Sequence, residues 1–217
     1  MWGRQPGRYR EFTIANPAHF QRPGLRQAAF LYPHGLRFEL AEGGSDIERF
    51  LLAVSKATAV CRDLFAGEQA LVVCLRTHTD GNGFARRELL RGLQAAGIRI
   101  PAQRSLWSER LDPDDWFDEH RPEYWLHLAF KVPLSMLQPL LWCALSGSAG
   151  VIRPSLCCGV YLFNLNQRLM VWPYDDRGMD VVGPNHALLS QLYRQHQGWL
   201  LDYDRERMDA SFATVLH

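Results

Sequence analysis

Two short clusters of acidic residues and arginine near the C-terminal end have side chains that could carry chemistry. The first is Y-D-D-R-G-M-D-V at 174–181, where Asp175, Asp176 and Asp180 surround Arg177. Carboxylates grouped after an apolar run can bind hard cations such as Mg²⁺ and support phosphoryl transfer. Because Arg177 supplies a counter-charge inside the group, internal ion pairs or capping fit this cluster better than a metal site.

A second cluster, W-L-L-D-Y-D-R at 199–205, follows about twenty residues later. Its charged residues are Asp202, Asp204 and Arg205, and Trp199 begins it. We hypothesise that the two clusters lie close together and that Arg177 or Arg205 bridges carboxylates from the other segment. Removing one partner of such a buried pair would cost about 3–5 kcal/mol.

Other catalytic patterns in the sequence are weak. His78 follows a predicted strand and is the best single candidate for a general acid or base. D-G-N-G-F-A-R-R at 80–87 precedes a predicted helix, as an anion site would, but it lacks the third glycine and the lysine of phosphate-binding loops. S-G-S-A-G at 146–150 is not a nucleophile elbow, and the five cysteines have no zinc-type spacing. We therefore expect no cofactor and no metal. The alternative is a small enzyme or nucleotide-binding regulator that uses Asp175, Asp176 and Asp180 with His78.

The composition favours an ordinary globular protein. Of the 217 residues, 47% are hydrophobic and 22% are charged, and the formal net charge is +1. Such a chain has no global field that would attract nucleic acid or anionic membranes, and the arginines of R-Q-P-G-R-Y-R at 4–10 are too few to change this. No apolar run reaches the roughly 18–20 residues of a membrane helix. The N-terminus lacks the apolar core of a signal peptide, and the cysteine pattern suits reduced, buried thiols. We expect a cytoplasmic protein with no nucleic-acid or membrane partner.

Hydrophobic periodicity predicts a single α/β (α+β) domain over 31–217, after an irregular Arg/Pro-rich arm over 1–30. The predicted strands are 34–40, 69–76, 124–132 and two within 158–175 that form an antiparallel hairpin. The predicted helices are 46–66, 84–96, 135–146 and 185–201, with a short helix in the tail 203–217. This order predicts a mixed sheet of about five strands packed by about four helices.

The polar excursion 101–122 carries acidic and aromatic residues that could form a protein interface. The candidates are Trp107, Asp114, Asp115, Trp116, Phe117 and Asp118. Tryptophan is enriched at binding hot spots, and charged side chains make charge-assisted pairs across interfaces. A partner with a basic cleft would match this surface. The alternative is that the aromatic residues anchor the loop to the domain.

The two C-terminal clusters, together with L-Y at 192–193, resemble the signature of a bacterial family catalogued only as a domain of unknown function. G-L-R-F-E-L at 35–40 resembles the N-terminal motif of that family. Some of its members look like immunity proteins found beside polymorphic toxins. The resemblance implies a protein without catalytic residues that binds a cognate toxin as a heterodimer and occludes the toxin's active site. It also implies that the signature residues serve the shared fold, while 1–30 and 101–122 carry partner specificity.

Overall fold

An antiparallel sheet of seven strands organises the part of the chain described by the computed structural model. That part comprises residues 32, 34–79, 84–110, 124–147, 152–156 and 158–212. The strands are β1 Leu36–Glu39, β2 Ala70–Thr79, β3 Arg104–Arg110, β4 Tyr124–Pro133, β5 Gly159–Asn164, β6 Leu169–Asp175 and β7 Gly178–Val182. Their order across the sheet is β1-β7-β6-β5-β2-β4-β3, and every neighbouring pair is antiparallel.

Five α-helices accompany the sheet in the described residues. They are α1 Asp46–Leu64, α2 Phe84–Ala95, α3 Leu137–Leu145, α4 His186–Gln195 and α5 Arg205–Phe212. The longest helix, α1, begins with a capping box in which Ser45 and Glu48 satisfy each other's backbone N–H groups. The Asn185 side chain caps α4 by accepting a hydrogen bond from the Leu188 N–H. None of these helices is long and apolar enough to cross a membrane.

The side-chain alternation of the strands places the main core between the helices and one face of the sheet. Its sheet residues include Leu36, Val73, Phe130, Leu162, Val171 and Val181. Helices α1 and α3 meet over this core, where the rings of Phe50 and Trp142 pack edge to face with centroids 4.6 Å apart. A smaller cluster on the opposite face contains Cys74, Ala129, Tyr161, Met170, Trp172 and Val182.

The α+β class and the hairpin of β5 and β6 are confirmed, but the predicted counts and the mixed sheet are wrong. The described residues contain seven strands, all antiparallel, and five helices. The prediction missed β3, which lies in the supposed polar excursion and is exposed at nearly every position, so it has no apolar alternation. It also missed β7, which is buried throughout but contains Gly178 and Asp180, residue types depleted from strands.

Several predicted boundaries shift in the structure. Strand β2 extends to Thr79, so His78 lies on a strand instead of in a loop. The predicted helix 185–201 ends at Gln195 and is followed by a 3₁₀ turn at Gln197–Trp199. Helix α5 falls in the tail where a short helix was predicted. The predicted arm, 1–30, lies outside the described residues.

Candidate functional site

Arg37 of β1 joins the two acidic clusters. Its Nε lies 3.2 Å from Asp180 Oδ1, and its Nη1 donates a hydrogen bond to Asp204. The Asp180 side chain is 1% exposed and that of Asp204 is 16% exposed. The structure therefore brings one carboxylate of each cluster to a single guanidinium. The prediction that Arg177 or Arg205 makes this bridge is wrong.

The backbone of β1 explains why these three residues meet. Arg37 stands opposite Asp180 in the antiparallel register of β1 and β7, so both side chains share one face of the sheet. On the other side of β1, the Arg37 carbonyl accepts a hydrogen bond of 2.9 Å from the Leu201 N–H, and Phe38 forms a β-bridge with Leu200. Asp204 follows this contact by three residues. Motif G-L-R-F-E-L at 35–40 thus lies between the two acidic clusters.

Burial dominates the electrostatics of Asp180. Loss of hydration raises its pKa to about 6, although the neighbouring Arg37 acts in the opposite direction and Asp204 adds a small upward contribution. The Asp180 Oδ2 atom is buried and has no hydrogen-bond partner in the described part of the chain. Tyr174 lies close by, and burial raises its pKa to about 12, with the Asp180 charge as the next cause.

The remaining carboxylates of the first cluster each meet a different arginine. Asp175 accepts hydrogen bonds from the backbone N–H and the guanidinium of Arg177, at 2.9 Å and 2.6 Å. Asp176 is 4% exposed and lies 3.4 Å from Nε of Arg49 on α1. Because each carboxylate of the first cluster pairs with a different arginine, the three carboxylates do not converge on one point. In the described residues, no group of three or more His, Cys, Asp or Glu side chains could hold a metal ion.

Arg205 stabilises the backbone of the second cluster through hydrogen bonds. Its Nη2 donates to the carbonyl oxygens of Gln197 and Leu200, at 2.9 Å and 3.4 Å. Asp202 lies 3.6 Å from the same guanidinium, but its side chain is 93% exposed, so this pair contributes little to stability.

Trp199 ties the same segment to α1. Its ring stacks on His196 with centroids 4.8 Å apart, and His196 Nε2 lies 2.8 Å from the Asp63 carboxylate. Lys56 lies 5.9 Å from the centroid of the Trp199 ring and donates to the Glu39 carbonyl oxygen. The signature residues therefore link β1, β7, α1 and the C-terminal segment.

The structure places His78 far from the acidic clusters. It lies on β2, two strands away from β6, which carries Asp175, and three strands away from β7, which carries Asp180; these separations correspond to about 10 Å and about 14 Å across the sheet. Its ring contacts Trp125 of β4 with centroids 5.6 Å apart, and the Arg76 guanidinium lies 3.8 Å from the centroid of the same indole. His78 and Asp175 therefore do not form a joint acid–base site.

Trp107 is the one predicted interface residue that the structure describes. It lies on β3, is 42% exposed, and stacks on His127 with centroids 4.8 Å apart and an interplanar angle of 5°. Burial, followed by the charge of Arg76, lowers the pKa of His127, which lies 3.4 Å from Glu109. The other candidates lie outside the described residues: Asp114, Asp115, Trp116, Phe117 and Asp118.

A groove of about 610 Å³ opens where β2 and β3 start and where β4 and β5 end. Its apolar lining includes Val72, Phe130 and Phe163, and Lys131 and Arg104 supply positive charge. A volume of this size suits a small molecule.

Sequence reasoning missed Arg37, although it lies inside the G-L-R-F-E-L motif.

A comparison with family models finds a match to the family described as "Domain of unknown function (DUF3885)" over residues 19–204. No curated protein and no solved structure matches the chain.

Proposed function

Since the chain belongs to the family described as domain of unknown function DUF3885, we propose that it is a bacterial immunity protein. In this role it binds a cognate antibacterial toxin by protein–protein contact and occludes the toxin's active site. The supporting observation is the bridge from Arg37 to Asp180 and Asp204. Side chains that could have carried chemistry are engaged inside the fold, as expected of a binding scaffold.

An immunity protein needs a stable scaffold and an accessible surface, and both have counterparts here. The signature residues stabilise one edge of the sheet through ion pairs and backbone hydrogen bonds. At the other edge, Leu106 and Trp107 are 57% and 42% exposed. Exposed tryptophan beside arginine is typical of binding hot spots.

The alternative function, a small enzyme or nucleotide-binding regulator, requires Asp175, Asp176 and Asp180 to act together with His78. The carboxylates instead pair with three different arginines, and His78 lies two strands away from Asp175 and three strands away from Asp180. General acid–base catalysis needs its groups within hydrogen-bond reach of one substrate. This separation favours the immunity function over the alternative.

The test is co-expression of the tagged protein with the product of its neighbouring gene. We expect a one-to-one complex after purification, and we expect cells that carry both genes to grow where the neighbouring gene alone is toxic. If neither complex nor protection is found, the immunity function is wrong. A thermal-shift screen with divalent metals and nucleotides, repeated on Asp175→Ala/Asp176→Ala, would then test the alternative.

A further inference from the structure

The two edges of the sheet differ in how they are covered. At the β1 edge, the segment after α4 adds a β-bridge between Phe38 and Leu200 and a hydrogen bond from the Leu201 N–H to the Arg37 carbonyl. At the other end, β3 is the last strand among the described residues and pairs only with β4 there. A strand in this position offers a row of backbone N–H and C=O groups to a further strand.

Strand β3 lacks several of the features that usually block such an edge, although Arg104, Glu109 and Arg110 are charged. Its sequence, R-S-L-W-S-E-R, has seven residues and contains neither proline nor lysine nor glycine. All of its positions except Ser105 are exposed, and both Leu106 and Trp107 show large apolar surfaces. Natural proteins rarely leave a long edge strand with exposed apolar side chains unless another chain pairs with it.

The charge pattern of β3 distinguishes between possible partners. Arg104, Leu106 and Arg110 lie on one face, opposite Phe130, Leu128 and Tyr124 of β4. If a second copy paired with β3 along its full length, Trp107 would lie at the centre and Arg104 would face Arg110 of the other copy. Like charges directly opposite each other are destabilising, so a second copy is disfavoured and an acidic strand fits.

We propose that β3 is the toxin-docking edge, where an extended segment of the toxin pairs as an eighth strand. That segment carries acidic side chains opposite Arg104 and Arg110 and an apolar side chain opposite Leu106. Backbone hydrogen bonds give the affinity in this mode and the side chains give the specificity. On the other face, Trp107, held flat against His127, provides a rigid aromatic anchor. This inference rests on the proposed immunity function.

The test uses the purified complex with the toxin encoded by the neighbouring gene. The variant Arg104→Glu/Arg110→Glu reverses both charges of the edge. The control Arg91→Glu/Arg99→Glu makes the same charge change at exposed positions outside β3. We expect the β3 variant to bind the toxin about tenfold more weakly and the control to bind about as well as the wild type. Hydrogen exchange should show slowed β3 amides in the wild-type complex.

Three other outcomes would overturn the proposal, and each points to a different conclusion. A complex with unprotected β3 amides and unchanged affinity for the β3 variant would refute the docking edge but leave the immunity function standing. Failure of the wild type to bind or protect would refute both. A dimer of the protein alone that the β3 variant abolishes would assign the edge to a second copy. If the β3 variant does not fold, hydrogen exchange on the wild-type complex tests the proposal instead: slowed β3 amides support the docking edge, and unprotected β3 amides refute it.

Discussion

At the scale of single residues, Arg37 has a role that no other arginine of the signature shares. Its planar guanidinium presents Nε to Asp180 and Nη1 to Asp204, so one side chain connects β7 to the C-terminal segment. Burial raises the pKa of Asp180 to about 6 even with Arg37 beside it, and Arg37 acts to keep this carboxylate charged. Arg177, in contrast, is 78% exposed and pairs within its own turn.

We therefore expect Arg37→Ala and Arg177→Ala to differ strongly in stability. Loss of Arg37 leaves a buried carboxylate without its partner and should lower the free energy of unfolding by about 3–5 kcal/mol. Loss of Arg177 removes an exposed pair and should cost less than about 1 kcal/mol. Urea unfolding at pH 7 measures both values. Equal, small losses for the two variants would show that the Arg37 bridge does not stabilise the fold.

At the scale of elements, the helices and strands with the clearest sequence patterns were predicted correctly. Helix α1 has a capping box and a long apolar stripe, and the β5–β6 hairpin has two apolar runs around a turn. Even so, Ile47 and Leu51, which belong to the apolar spacing of this helix, are 61% and 56% exposed. The core covers the part of the apolar stripe that runs through Phe50, Val54 and Cys61. Periodicity alone does not predict how wide a face of the helix the core covers.

The candidate site was less predictable than the helices, and for a specific reason. The two acidic clusters could be identified in the sequence, but their bridging residue, Arg37, precedes Asp180 by 143 positions. Only the register of β1 against β7 brings them together, and a single sequence does not specify which strands pair. Strand β3 was missed for the same reason that makes it a candidate interface, since its side chains are exposed.

The turn between β6 and β7 gives a prediction at this scale. A Cβ atom at Gly178 would lie 1.9 Å from the Tyr174 hydroxyl oxygen, so Gly178→Ala must displace the tyrosine ring from its packed position. We expect a loss of about 1–3 kcal/mol in the free energy of unfolding. Gly198→Ala is the matched control, because a Cβ atom there would have open space within 4 Å and the change should stay within about 0.5 kcal/mol. Similar values for both variants would contradict the steric argument.

At the scale of the whole molecule, the two faces of the sheet share their strands. The main core and the smaller cluster both draw residues from β2, β5, β6 and β7. Cys61 of α1 and Cys143 of α3 lie in the main core, while Cys74 of β2 lies in the smaller cluster. Because the same backbone supports both faces, we expect them to unfold together.

The rate at which a reagent modifies these three buried thiols measures whether the two faces unfold together. Burial raises the pKa of Cys61 and Cys74 to about 12 and that of Cys143 to about 11, so these three thiols carry almost no thiolate in the folded protein. A thiol reagent at pH 8, applied to a Cys157→Ser/Cys158→Ser variant that keeps only these three of the five cysteines, should modify all three at one common rate. That rate should rise with urea in parallel with global unfolding. Modification of Cys74 well ahead of Cys61 would show that the smaller cluster opens separately, and the two faces would then be independent units.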